Sequence, residues 1–214
     1  MSNPRVLELF RAHLPPQSII TDRAAVRPFE TDGITAFRER PWVVVLPETV
    51  EQVRSVLQIS RDHDVPVVTR GAGTGLSGGA RPIRDGVLLT MSKMSKVIEV
   101  DLDACTATVE PGVTNLAISD AVREHGLYYA PDPSSQIACS IGGNVAENSG
   151  GVHCLKYGLT VHNVLGIRVQ TIEGEELVLG GKTYDSPGYD LLALMMGSEG
   201  MLGVVTQVTV KLLP

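Results

Sequence analysis

Five glycines, Gly71, Gly73, Gly75, Gly78 and Gly79, crowd the stretch 69-TRGAGTGLSGGAR-81, which lies between two apolar runs of strand character, 65-VPVVT-69 and 86-GVLLTM-91. A backbone so bare between two strands has few folding solutions. Residues 73–78 match GxGxxG, follow a strand, and have Glu99 at roughly the twenty-residue distance at which a ribose-binding acid follows that motif in dinucleotide folds. The motif works only when its last glycine opens a helix whose N-terminus faces a pyrophosphate. Here Pro82 and Gly86 interrupt the segment before the next strand and leave no room for that helix. The loop is therefore expected to join strand to strand, and the Rossmann reading fails on its surroundings. No GxxxxGK[ST] occurs, which removes a nucleoside-triphosphatase phosphate loop as well. Such a loop can still hold an anion, because successive N–H groups in a tight turn form a nest and glycine lets a ligand approach without a Cβ. Arg70, at its entrance, stands where it could add a fixed charge.

Around the loop the chain reads as mixed α and β. Val6 to His13 has helical spacing and stops at Pro15-Pro16; residues 21–40 are irregular, broken by Pro28 and Gly33. Residues 1–40 are thus expected as a lead-in. From Pro41, 42-WVVVL-46 reads as a buried strand, residues 48–65 as a helix capped by Thr49, and 65–69 as a second strand, giving β-α-β. Short strands follow at 86–91, 97–101 and 104–112, the last two joined as a hairpin, then a helix over 114–126 between Thr114 and Gly126. A glycine-, serine- and asparagine-rich tract fills residues 129–158, read as a long structureless connection. Strands at 163–171 and 175–180, a helix near 189–197 and a strand at 202–213 complete the chain. The expected fold class is α+β, with lobes of about 41–100 and 101–214.

Charge and cysteines narrow the function. A net charge of −6, with no run of Lys or Arg, argues against nucleic acid or an anionic membrane as partner. The first twenty residues lack the pattern of a secretory signal, and apolar runs such as 191-LLALMM-196 are too short to span a bilayer, so a cytoplasmic protein without membrane insertion is expected. Cys105, Cys139 and Cys154 have no CxxC spacing, which suits reduced thiols. His153-Cys154 has no second ligand pair at usable spacing, so no metal is expected.

The tract 131-PDPSSQIACSIGGNVAENSGGVHCLKYG-158 has little to pack a core, yet two glycine pairs and several Asn and Ser. Two such tracts suggest one long, polar, phosphate-containing ligand held from both sides. Taken together, 41-PWVVVLPETVEQV-53, 70-RGAGTGLSGGA-80, 131-PDPSS-135, 140-SIGGNVAENSGG-151, 157-YG-158 and 197-GSEGMLGVVT-206 resemble the FAD-binding domain of the vanillyl-alcohol oxidase / p-cresol methylhydroxylase class. Within it the likeness is greatest to the FAD-linked subunit of glycolate oxidase and its D-lactate dehydrogenase relatives, and it covers about residues 20–214. The resemblance implies a two-lobed FAD domain. It places Arg70, Gly71, Ala72, Gly73, Thr74, Gly75 and Leu76 on the pyrophosphate. Pro131, Asp132, Ser135, Ser140, Ile141, Gly142, Gly143 and Asn144 would follow the flavin and ribityl chain, and Asn148, Gly150, Gly151, Tyr157 and Gly158 continue the wall. Gly200, Gly203, Val204 and Val205 would pass the adenine. Several members carry a histidine in the glycine loop that bonds covalently to the flavin. Thr74 stands at that place, so a noncovalent FAD is expected.

Flavin oxidation of a 2-hydroxy acid needs a base for the hydroxyl proton and a cation for the carboxylate. In the resembling family these come mainly from a C-terminal domain that caps the flavin, and Pro214 stands where the FAD domain would end; a shortened chain or one product of a split gene is expected, with catalytic residues elsewhere. His13, His63 and His125 belong to the lead-in or to helix ends, and His153 and His162 flank the second tract in structural roles. The resemblance implies oxidation of glycolate or D-lactate with electrons passed to an acceptor other than nicotinamide, and a cap domain or iron-sulfur subunit as partner. Two alternatives stay open: a MurB-like NADPH-dependent flavin reductase, and a non-catalytic FAD-binding or assembly subunit.

Overall fold

The computed structural model describes residues 3–182 and 188–214. Its first half is built on a four-stranded sheet. Asn3, whose side chain accepts the Val6 N–H, caps α1 (Pro4–His13); β1 (Ile19–Ile20) and β2 (Val43–Val45) follow. Thr49 caps α2 (Val50–Asp62) by accepting the Gln52 N–H at 3.3 Å, an interaction worth about 1 kcal/mol. Then come β3 (Val67–Arg70) and β4 (Val87–Thr90). The order is β1-β2-β4-β3, with β4 parallel to both its neighbours and β1 antiparallel at the edge. The β-α-β unit legible in the sequence is therefore not an adjacent pair, since β4 occupies the place between its strands.

Both faces of this sheet are covered, which is why its strands read as unbroken valine and leucine. Val43, Val45, Val87 and Leu89 pack under α1 and α2 with Val6, Phe10, Val53 and Val56, while Val44 and Leu88 meet Val26 and Leu46 on the other side. Residues of the expected lead-in thus supply core, β1 and a helix to this lobe.

The second half forms a five-stranded sheet. Its elements are β5 (Val97–Asp101), β6 (Thr106–Val109), α3 (Asn115–Val122), α4 (Ile141–Glu147), α5 (Cys154–Tyr157), α6 (Thr160–Asn163), β7 (Val164–Gln170), β8 (Glu176–Gly180), α7 (Leu191–Met195) and β9 (Val204–Lys211). The order β5-β6-β9-β7-β8 is antiparallel throughout. Along β9 burial alternates residue by residue, so only one face carries the core of Val109, Ile118, Ile141, Val145, Val208 and Val210. Strand β9 also ties the lobes together, because Val204 belongs to the core of the first; Arg54 Nε donates to Gln170 Oε1 at 3.2 Å across the same junction.

The tract read as structureless contains α4, and this corrects the sequence reading. Gly142, Gly143 and Asn144 are poor helix formers. Burial decides instead: Ile141 and Val145, four apart, are both fully buried, Ser140 caps the helix, and Asn148 ends it in the left-handed conformation at φ 49°. Among the described residues no helix is long and apolar enough to cross a membrane.

Candidate cofactor site

The glycine loop leaves the C-terminal end of β3 and must return to the start of its parallel neighbour β4. Such crossovers usually use a helix. This one has none between Arg70 and Val87, so it arcs over the end of the sheet as open backbone. What keeps it in place is local. Arg70, 8% exposed, donates from Nη1 to Thr31 O at 2.8 Å and Ala80 O at 3.3 Å, with its guanidinium 5.9 Å from the Phe29 ring centre. Burial draws its pKa below the ordinary arginine value, and the nearby Asp32 charge opposes that shift. The side chain folds back across Gly73, where φ is +73° and a Cβ would fall 2.1 Å from Nη2. Arg70 is thus a strut of the loop rather than a loose cation. From the other side, Gly33 donates its N–H to Gly75 O at 3.0 Å, which makes Gly33 a support rather than only a breaker.

Among the described residues no protein group accepts a hydrogen bond from the amides of residues 72–80. The loop is therefore ordered from its carbonyl and side-chain sides and leaves its donors unspent.

Helix α4 runs along this loop. A Cβ on Gly71 would fall 2.3 Å from Ser140 Oγ at the start of the helix, and one on Gly75 would fall 3.4 Å from Glu147 Oε1 at its end. The first amides of α4 are already used: Ile141 N–H reaches Val113 O at 2.8 Å, Gly142 N–H reaches Pro111 O at 2.8 Å, and Gly143 N–H reaches Ser140 Oγ at 3.4 Å. Gly142 is glycine because a Cβ would fall 2.8 Å from the Pro111 side chain. Asn144 differs from these. It is only 3% exposed and faces the cleft, and its Nδ2 has no partner among the described residues.

Between loop and helix lies a cleft of about 280 Å³. Arg70 to Leu76, Ser135, Ser140, Gly142, Gly143, Asn144, Gly200, Gly203, Val204 and Val205 all line it, so residues far apart in the sequence converge there. The remaining expected residues lie outside the lining and bond to the protein itself. Pro131 O accepts from Asn115 Nδ2 at 3.0 Å, and Ile141 is core. Asp132 takes the His153 N–H at 3.0 Å and faces His153 Nδ1 at 2.9 Å, while Gly151 packs so closely that a Cβ would lie 2.1 Å from Asp132 O. Asn148 Oδ1 accepts from Val161 N–H at 3.0 Å. A Cβ on Gly150 would meet Leu159, and Gly158, at φ +82°, lies against His162. Tyr157 sits edge-on to Tyr128 with ring centres 6.3 Å apart; hydrogen bonding to Lys156 and Tyr128 lowers its pKa. Sequence reasoning missed Met91, Pro111, Glu147 and Glu199 on the lining. The two glutamates had a faint signal as charges within runs of small residues, 145-VAENSGG-151 and 197-GSEG-200.

The cleft pairs unspent backbone donors with glycines that a Cβ would crowd out, a buried amide lacking an acceptor, and apolar Met91, Val204 and Val205. That combination suits a long ligand with an anionic middle and flat ends. Fold and site define a class of domain that holds a dinucleotide without a Rossmann helix. The family model described as FAD binding domain matches residues 41–180. The chain belongs to that family, in its p-cresol methylhydroxylase-type form.

Among curated proteins it is 61% identical to glycolate oxidase subunit GlcD of Escherichia coli (strain K12), over 98% of this chain and 42% of that protein. It is 42% identical to a D-lactate dehydrogenase of Archaeoglobus fulgidus, over 81% of this chain and 39% of that one. The solved structure of p-cresol methylhydroxylase with substrate bound superposes with a TM-score of 0.84 at 25% identity, covering 99% of this chain and 43% of the other. The chain thus spans less than half the length of these relatives.

Proposed function

We propose that the chain is the FAD-holding part of an oxidoreductase that oxidises a small 2-hydroxy acid of the glycolate or D-lactate type and passes electrons to an acceptor other than nicotinamide. The observation that carries this reading is the run of unspent amides at residues 72–80, in a loop that lines a cleft opposite α4, in a chain whose relatives are named for such oxidations. The loop amides take the pyrophosphate, Asn144 Nδ2 donates to an acceptor of the cofactor, and Val204 and Val205 flank the adenine. The flavin, when bound, supplies the two-electron acceptor for the hydride on the hydroxyl-bearing carbon. Thr74 stands where covalently flavinylated members carry a histidine, so the cofactor is read as held noncovalently.

The base for the hydroxyl proton and the cation for the carboxylate are assigned to the part of the protein that the relatives have and this chain does not span. On the lining, the charged side chains among the described residues are Arg70, already bonded to two carbonyls, and Glu147 and Glu199. A carboxylate would repel the substrate's own. The catalytic function is thus shared with a further domain or subunit.

Two measurements test this. The purified chain, with FAD added if colourless, should show a flavin spectrum between about 300 and 550 nm that is released intact on acid precipitation; absence of binding with excess FAD would refute the cofactor reading. A chimera joining this chain to the remainder of the E. coli relative should have its flavin bleached anaerobically by glycolate or D-lactate. Bleaching by NADPH instead would favour a reductase.

A further inference from the structure

The segment that supports the glycine loop carries a carboxylate that nothing so far explains. Asp32 is only 6% exposed; its Oδ1 accepts the Ile34 N–H at 2.9 Å, while its Oδ2 is buried with no donor among the described residues. Out of reach of water, such an oxygen costs free energy unless a donor or a positive charge answers it. Both neighbours of Asp32 in the chain touch the loop assembly: Thr31 O accepts from Arg70 Nη1 at 2.8 Å, and Gly33 N–H donates to Gly75 O at 3.0 Å. Arg70 is itself 8% exposed, and among the described residues its acceptors are two uncharged carbonyls, Thr31 O and Ala80 O. Burial works against the Arg70 charge, and the Asp32 carboxylate is the charge that favours it. No hydrogen bond joins the two directly, so each is a buried charge only partly compensated by the other.

Arg70 also lines the cleft, whereas Asp32 does not. A diphosphate held by the loop amides would therefore be a second anion acting on the same guanidinium. Two anions that share one cation oppose each other, and the coupling is reciprocal: what Asp32 contributes to the empty chain through Arg70 is in part surrendered when the ligand binds. We propose that Asp32 is a positioning residue, the stand-in counter-ion of Arg70 in the flavin-free chain. It keeps the charged strut of the loop in place before the cofactor arrives, and it lowers the affinity for any diphosphate that then competes with it. This rests on the reading of the loop as the diphosphate site.

Asp32→Asn separates charge from shape, because an asparagine Oδ1 still accepts the Ile34 N–H. The test compares the flavin-free chain with its Asp32→Asn, Arg70→Gln and doubly substituted variants, titrated with FAD, with inorganic pyrophosphate as competitor, and unfolded in urea without ligand. Asp32→Asn should bind both FAD and pyrophosphate about fivefold more tightly, the worth of one partly screened charge. Its urea midpoint should fall by roughly 0.5 M, because a buried cation has lost its compensation. On the Arg70→Gln background, where glutamine keeps a donor for the carbonyls without the charge, the same change should no longer lower the midpoint. A merely structural role for Asp32 predicts the opposite sign, since a loosened loop binds FAD less well. Unchanged or weaker FAD binding by Asp32→Asn, or an equal loss of midpoint on both backgrounds, would overturn this assignment and leave the FAD reading standing. If Asp32→Asn does not fold, folding of the double variant supports the counter-ion role and its failure to fold refutes it. A wild type that binds neither FAD nor pyrophosphate would overturn both readings.

Discussion

The glycine loop and the 131–158 tract have similar compositions and opposite hydrogen-bond economies. In the loop, which borders the cleft, glycines shape a backbone whose amides have no acceptor among the described residues. In the tract, Asn144 Nδ2 apart, donors are consumed inside the protein: the first turn of α4 by Val113, Pro111 and Ser140, Ser149 N–H by Asn144 O, and His153 N–H by Asp132. Glycine density thus accompanies free amides in the loop and close packing of the chain on itself in the tract, whose α4 forms the facing wall of the cleft. What separates them is where the amides go.

That contrast can be broken by substitutions that exchange stability for binding. The largest effect is expected at Gly151, where even alanine would collide with the Asp132 backbone: Gly151→Ala should lower unfolding free energy by about 3 kcal/mol in denaturant titrations. The surviving folded fraction should still bind FAD normally. Gly73→Ala should do the reverse. A Cβ at φ +73° against the Arg70 guanidinium strains the loop by about 1–2 kcal/mol and displaces its strut, so FAD affinity should fall by about tenfold or more, with a smaller loss of stability than at Gly151. Should Gly73→Ala unfold the chain without altering affinity, the loop is structural and the distinction fails.

Asn144→Leu should weaken FAD by about tenfold at nearly constant stability, because the lost Nδ2 had no protein partner to strand. The smallest change is expected for Asp132→Asn. Its partner His153 is largely exposed, so loss of the pair should cost about 0.5 kcal/mol and leave FAD affinity intact. A large loss of flavin binding there would place the tract's outer half at the cofactor after all.

Much of this architecture was legible in the sequence because it depends on local chemistry. Thr49 and Thr114 cap helices where capping rules place them, the β5–β6 hairpin follows from a short turn between apolar runs, and Pro82 with Gly86 excludes a helix after the glycines. The misses depend on partners distant in sequence. Helix α4 owes its existence to the burial of Ile141 and Val145, which no local propensity reveals. The insertion of β4 between β2 and β3 is likewise a property of the sheet. Gly33 looked like a chain breaker because its role lies against Gly75, and Glu147 and Glu199 went unassigned because only the fold brings them beside the loop.

The bonding of Arg70 to carbonyls has a kinetic consequence. It is the basic residue on the described lining, and its charge is directed inward, in a protein of net charge −6. A nucleotide diphosphate approaching this surface is repelled at long range and attracted only by amide dipoles at short range. Counter-ions screen the repulsion far more than the dipolar contact. Loading of cofactor should therefore quicken as salt is added, the reverse of a site that captures phosphate with exposed lysine or arginine, while the rate of release stays nearly constant.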